Sequence, residues 1–255
     1  MDHFETDDRN LQTRLERAAS EPFEGWDFSL LQGRMIENRP AWNYEDVVRD
    51  ASDGIGTMLD MDTGGGEALS NLQPLPSYTV ATEGYPPNVP IARARLEPLG
   101  IQVVRAIGDQ ALPFPATTFD LVINRHGGYR PEELFRILKS GGLFITQQVG
   151  SSNLQDLNRW LGSPSEALEW TVDRARHELE DAGLVIVRAE EAFLTTRFQD
   201  VEAVVYYLKA IPWQIPDFTI KRYFHHLKGL DQELRGKGWL EANAHRFLLV
   251  AAKPH

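Results

Sequence analysis

The stretch MLDMDTGGGEAL, residues 58–69, sets two carboxylates, Asp60 and Asp62, directly before three consecutive glycines, Gly64, Gly65 and Gly66. An apolar strand end, an acid, a glycine turn and a helix start form a backbone that can pass very close to a ligand. Three ligand classes use such a turn: a dinucleotide, a nucleotide phosphate, or a molecule without phosphate. The dinucleotide fingerprint needs G-x-G-x-x-G, and counting from Gly64 and Gly66 the third glycine position holds Leu69. A phosphate loop needs G-K-[ST], and Gly66 is followed by Glu67 and Ala68. An acid at a helix N-terminus repels phosphate. The third class fits best.

Other residues that could do chemistry lie downstream. Glu83 closes TVATE, 23 residues after Asp60, and Gly108–Asp109 follow an apolar run. His126 stands in NRHGGYR, where a neutral imidazole could take a proton from a hydroxyl or amine, or could simply pack at a strand end. Arg125 beside it could hold a carboxylate or pair with Glu132 or Glu133. Asp60 and Asp62 could equally serve as turn or helix-cap residues without touching a ligand. His225 and His226 are adjacent rather than four apart, so they are not read as metal ligands, and no metal is expected. The aromatics Trp26, Trp42, Tyr44, Tyr206, Tyr207 and Trp213 could cover a ligand or pack a cap.

These residues need a scaffold, and the pattern supplies one. Strands are expected at 57–61, 77–83, 101–107, 119–125, 143–149, 184–191 and 245–253. Helices are expected between them: 65–72, 89–100, 130–142 ending at Gly141–Gly142, and 163–183 opened by Ser163, Pro164 and Glu166. Alternation of this kind predicts an α/β fold with a mostly parallel seven-stranded sheet and helices on both faces. Ligands on such sheets sit at the carboxyl ends of the strands. That rule selects Asp60–Gly66, Glu83, Gly108–Asp109, Asn124–His126 and Gln147–Gly150. Residues 1–50 read as an N-terminal helical cap, and residues 51–255 as the main domain with a cap insertion at about 195–244.

Bulk composition limits the function classes. The chain has 255 residues, no cysteine and a net charge of −11. Disulfides, thiolate zinc sites and cysteine nucleophiles are excluded. The acidic balance makes a nucleic-acid partner unexpected, with KRYFHHLK, 221–228, the one dense basic segment. No apolar run is long enough for a bilayer, and the acidic N-terminus does not read as a secretory signal, so a cytoplasmic location is the expectation.

Four ordered motifs carry a resemblance. LDMDTGGG, the strand ending in Glu83, AIGDQALPFPATTFDLVINR (106–125) and ELFRILKSGGLFI (133–145) together resemble the class I S-adenosylmethionine-dependent methyltransferases. The match covers about residues 50–150 in detail. It implies a Rossmann-like fold, S-adenosylmethionine as cofactor and methyl transfer to another molecule. By resemblance, Gly64, Gly65 and Gly66 approach the cofactor, Glu83 accepts from the ribose hydroxyls, and Asp109 accepts from the adenine amine. Gln110 and Ala111 complete the adenine contact, and Asp60 orders the loop or reaches the methionine ammonium. Asn124 and Arg125 line the cofactor side of the fourth strand end. The sequence departs from the family at two places. Asp62 stands where the first glycine of D-x-G-x-G-x-G is usual, and could bind the methionine ammonium or point away and shift the turn. Ser140 stands where proline is usual. The acidic surface and aromatic caps favour a small-molecule acceptor methylated on oxygen or nitrogen. An RNA methyltransferase and a non-catalytic S-adenosylmethionine-binding protein are the alternatives. Oligomeric state is not encoded in any motif.

Overall fold

The computed structural model describes residues 2–23, 27–165 and 169–255. Trp26 and the expected cap residue Glu166 lie outside the described residues. One sheet organises the chain. Its strands are β1 (Met35–Glu37), β2 (Thr57–Met61), β3 (Tyr78–Glu83), β4 (Gln102–Arg105), β5 (Phe119–Arg125), β6 (Leu138–Val149), β7 (Val185–Phe198) and β8 (Leu240–Ala252). Their spatial order is β1-β7-β8-β6-β5-β2-β3-β4. The β4-β3-β2-β5-β6 section is parallel, whereas β8 runs antiparallel between β6 and β7, and β1 is antiparallel to β7. The seven expected strands are all present; the short β1 makes the eighth.

The sheet is covered on both faces because its strands are apolar on both. Met58 and Leu121 point into a core with Trp42, Tyr44, Val48, Leu69 and Leu96. Their neighbours Leu59 and Val122 point the other way, into a core with Phe119, Leu134, Phe144, Leu179 and Phe247. Period-two alternation divides the side chains, and the absence of a polar face forces helices onto both sides. The covering helices are α2 (Tyr44–Ser52), α3 (Glu67–Ser70), α4 (Asn88–Leu96), α5 (Pro131–Ile137) and α7 (Val172–Asp181). A third core joins α1 (Asp2–Ser20), α6 (Gln155–Leu161), α8 (Val201–Ala210) and α9 (Ile220–Lys237) to the far ends of β7 and β8 through Leu15, Leu157, Val204, Leu227 and Leu240.

Several boundaries differ from expectation. The helix expected to run to Gly142 stops at Ile137, and β6 begins at once. Lys139 is drawn to the sheet by Asp120 at 2.9 Å, and the Gly141 N–H donates to Lys253 O at 2.9 Å, so the segment bonds as sheet. The helix expected from Ser163 starts at Val172, with Thr171 as N-cap accepting from the Arg174 N–H. The turn before it is pinned to the sheet: Trp170 packs against Tyr129 and Phe247, and its carbonyl accepts from Ser151 N–H. Those contacts outweigh a local capping signal. The third expected strand ends at Arg105 rather than 107, the helix after the glycines spans only Glu67–Ser70, and β8 starts five residues before His245. Residues 195–198 and 240–244, expected in an insertion, are strand; between them lie α8 and α9.

Candidate active site

Register brings the expected residues to one edge of the sheet. Asp60 on β2 lies opposite Ala81 of β3 and Ile123 of β5, and Arg125 lies opposite Gln147 of β6. The carboxyl ends of β2, β3, β5 and β6 therefore open on the same crevice, with the Gly108 turn beyond β4 on its flank.

The glycine turn is held from both sides. Thr63 N–H donates to Thr82 O at 2.8 Å, and Gly66 N–H closes the turn onto Thr63 O at 3.0 Å. Gly64 and Gly66 sit at φ 64 and 81, in the left-handed region open to glycine at little cost. A side chain at Gly66 would also strike Leu96 of α4 at 2.7 Å. Arg95 of α4 bonds the Gly65 carbonyl and the Glu67 carboxylate. Glu67 stands where a phosphate loop would place its lysine; α4 supplies a cation to it from across the turn.

Glu83 is buried, and its carboxylate accepts from Tyr85 N–H at 2.6 Å, with the Gly64 amide also directed at it. Burial nonetheless raises its pKa. Asp60 is buried and raised to about 7, by desolvation first and then by the charges of Asp62 and Glu83, with the Thr63 hydroxyl and Arg125 acting the other way. Asp62 is raised to about 6, again by desolvation, with Glu83 and Asp109 adding to it and the Gly108 N–H opposing. Three acids thus share a poorly solvated crevice in which a cationic ligand would be stabilised.

Asp62 adopts φ 54, keeping the left-handed turn its position calls for. Its side chain crosses the crevice and Oδ1 accepts from Gly108 N–H at 3.3 Å. The carboxylate lies against Gly127 as well, so it spans from the end of β2 to the turns after β4 and β5.

Asn124 is completely buried, and its Oδ1 accepts from Thr146 Oγ1 at 3.1 Å and Gln148 Nε2 at 2.7 Å. Its side chain is thereby committed to joining β5 to β6. Arg125 is exposed and lies over the Tyr44 ring, 5.7 Å from its centre. Asp109, Gln110 and Ala111 form an exposed turn at the crevice mouth. Gln110 N–H donates to Ile107 O at 3.1 Å.

His126 follows β5 at φ 64. Its N–H donates to Gln147 O at 2.8 Å, and its Nε2 is 3.3 Å from Gln147 Nε2. Crowding of the ring, then the charges of Arg125 and Arg246, push its pKa down to about 3. Each of these effects favours the neutral imidazole over the imidazolium.

Three participants had no clear signal in sequence. Asn88, in the first turn of α4, is buried beside Glu83, and its Oδ1 has no partner. The buried Tyr44 hydroxyl sits near Asp60 and the Asn124 backbone without a well-formed hydrogen bond, and burial drives its pKa upward. Trp42 donates Nε1–H to Gln147 Oε1 at 2.8 Å. Trp42 and Tyr44 stood out only as aromatics able to cover a ligand.

Comparison with known proteins agrees with this fold. Residues 59–146, from β2 to the middle of β6, match a family model described as a methyltransferase domain. No curated protein sequence matches the chain. Among solved structures, a Bacillus halodurans C-125 protein described as a methyltransferase superposes with TM-score 0.61 at 19% identity, over 84% of this chain and 99% of that one. YcgJ from Bacillus subtilis gives 0.58 at 16% identity, over 83% and 98%. The [4+2]-cyclase SpnF gives 0.53 at 15% identity, over 96% and 93%. At these identities the structures speak for the fold, while the matched domain carries the motifs. Residues 59–146 are thus similar to a methyltransferase domain, and the chain as a whole shares the fold of these solved structures.

Proposed function

We propose that the chain methylates an oxygen or nitrogen of a small molecule, with His126 as the proton acceptor. S-adenosylmethionine fits the residues present. Its sulfonium and ammonium answer the charge of Asp60, Asp62 and Glu83, and it brings no phosphate to meet Glu67. The unpartnered Asn88 Oδ1 and Tyr44 hydroxyl are polar atoms beside Glu83 and Asp60, where a ligand's hydroxyl or ammonium could satisfy them. Gly64, Gly65 and Gly66 would face the cofactor with backbone, Glu83 would hold the ribose, and Asp109 with Gln110 and Ala111 would flank the adenine. When bound, the cofactor supplies an electrophilic methyl group. The chain's own work is to align the acceptor, exclude water and take one proton.

The observation that carries this reading is the place of His126 directly after β5, its Nε2 3.3 Å from Gln147 Nε2 on the next strand. A side chain there can remove a proton as the nucleophile attacks, which is worth about 10²–10⁴ in rate. The choice of a small acceptor draws support from the cation pairing of α9. Within 221–228, Arg222 pairs with Asp217 and Lys228 with Asp8, which opposes use of this segment as a phosphate track.

A methyl-release assay over hydroxyl and amine acceptors tests the proposal. The expected result is turnover that falls by about 10²–10⁴ in His126→Ala with cofactor affinity retained. Salt-sensitive RNA binding with RNA methylation would overturn the small-molecule assignment.

A second reading rests on Asp62. Its side chain occupies a place where backbone would otherwise approach the cofactor, which suits a protein that binds S-adenosylmethionine without turnover. The fold also hosts the [4+2]-cyclase SpnF. Tight cofactor binding with no methyl release from any acceptor would favour this second reading.

A further inference from the structure

Trp42, Gln147 and His126 form a chain of hydrogen bonds whose polarity is fixed at one end. An indole N–H can only donate. The Gln147 atom 2.8 Å from Trp42 Nε1 must therefore be the carbonyl oxygen. That leaves the Gln147 amide nitrogen facing His126 Nε2 at 3.3 Å, and an amide nitrogen is a donor. His126 Nε2 must then be a lone pair, and the ring proton belongs on Nδ1.

Backbone constraints hold the ring in this relation. His126 sits at φ 64, a left-handed conformation that is strained for a non-glycine residue and clusters at functional sites. Its N–H is bonded to Gln147 O at 2.8 Å. Gln148 fixes the following turn by donating to Gly127 O at 3.0 Å. The cations nearest the ring, Arg125 at the end of β5 and Arg246 on β8, also disfavour an imidazolium.

We propose that Trp42 and Gln147 are positioning residues that select the Nδ1–H tautomer of His126 and make Nε2 its proton-accepting atom. This rests on the role given to His126 above. At 3.3 Å the Gln147 bond is long for an amide donor, so it orients the ring without competing strongly for the lone pair. During transfer the acceptor's O–H or N–H replaces the amide at Nε2. The proton would move to Nε2, leaving the imidazolium with both nitrogens protonated, while the acceptor's electron pair would bond the methyl carbon and the methyl–sulfur bond would break, its electron pair returning to the sulfonium to leave a neutral thioether.

The test is ¹⁵N NMR of His126 in the full chain at pH 7, which distinguishes a protonated ring nitrogen from a lone pair. The wild type is expected to show Nδ1–H and an unprotonated Nε2. Gln147→Glu offers acceptors at both ends. It is expected to move the proton to Nε2 and raise the imidazole pKa, with the acid limb of methyl transfer shifting upward. Trp42→Phe frees the amide to flip and is expected to give a tautomer mixture. A wild-type spectrum with Nε2–H, or spectra unchanged in both variants, would overturn the proposal. The spectra need no turnover. If they follow expectation while His126→Ala methylates normally, the role of His126 fails and the tautomer assignment stands.

Discussion

The Asp62 carboxylate occupies the space that a side chain at residue 127 would need. A Cβ built on Gly127 would lie 2.6 Å from Asp62 Oδ2 and 2.7 Å from Asp62 Cβ. The same oxygen would lie 2.6 Å from a Cβ on Gly108. Glycines on two turns from different strands thus border one carboxylate, and a Cβ on Gly108 would also strike the Gly128 carbonyl.

Gly127→Ala is expected to cost about 1–3 kcal/mol of stability by overpacking. Part of that cost should vanish in an Asp62→Gly background, leaving a coupling of at least about 0.5 kcal/mol in a double-mutant cycle by denaturant unfolding. The rest comes from Asn124 Nδ2, 2.7 Å from the new methyl. Strict additivity would show that Asp62 does not fill this space.

Stability should fall as pH rises through the crevice pair. Asp60 and Asp62 have folded pKa values near 7 and 6, above the ordinary carboxylate value of 3.8. A raised folded pKa contributes stability that is fully present below about 4. It is lost as pH climbs through 6 and 7. Calorimetric melting at pH 5 and pH 8 should show a larger drop in Tm for the wild type than for Asp60→Asn/Asp62→Asn. An equal drop would contradict the burial of these charges. S-adenosylmethionine, as a cation, should bind more tightly at pH 8 and release protons on binding, readable as a buffer-dependent binding enthalpy.

Gly66→Ala tests how tightly the glycine turn is fitted to α4. At φ 81 a Cβ costs about 1–2 kcal/mol. Contact with Leu96 Cγ at 2.7 Å adds overpacking of about 1–3 kcal/mol. The thermal midpoint should drop; in a Leu96→Ala background, compared with Leu96→Ala alone, Gly66→Ala should cost only the backbone share, because the cavity left by the buried Leu96 removes the overpacking. No cost of Gly66→Ala in the Leu96→Ala background would mean that the backbone conformation carries none.

Most of the scaffold was legible in the sequence because its strands are short apolar runs between glycine and proline punctuation. FDLVINR is buried on both faces, and its sequence has the near-continuous apolar character that such a strand requires. The misplaced boundaries fall where long-range contacts override local signals. Ser163, Pro164 and Glu166 make a good cap on paper, yet the helix waits for Thr171 because Trp170 is held against Phe247. The LKSGG segment carries helix-stop residues and joins the sheet because Lys139 finds Asp120. The strand-end rule gathered Asp60, Glu83, Asp109 and His126 at one edge. It was silent on Asn88, on the Trp42–Gln147–His126 bonds and on Arg95 beside Glu67, since each of these comes from tertiary neighbours rather than from spacing.

The central claim is that this crevice is built for S-adenosylmethionine, with Glu83 as a principal anchor. Titration calorimetry of the wild type and Glu83→Ala with S-adenosylmethionine and with NAD⁺ tests it most directly. S-adenosylmethionine is expected to bind, NAD⁺ is not, and the variant should lose about 1–3 kcal/mol of binding free energy with its fold intact by circular dichroism. Binding of NAD⁺ in place of S-adenosylmethionine, or an unchanged affinity in Glu83→Ala, would contradict the account.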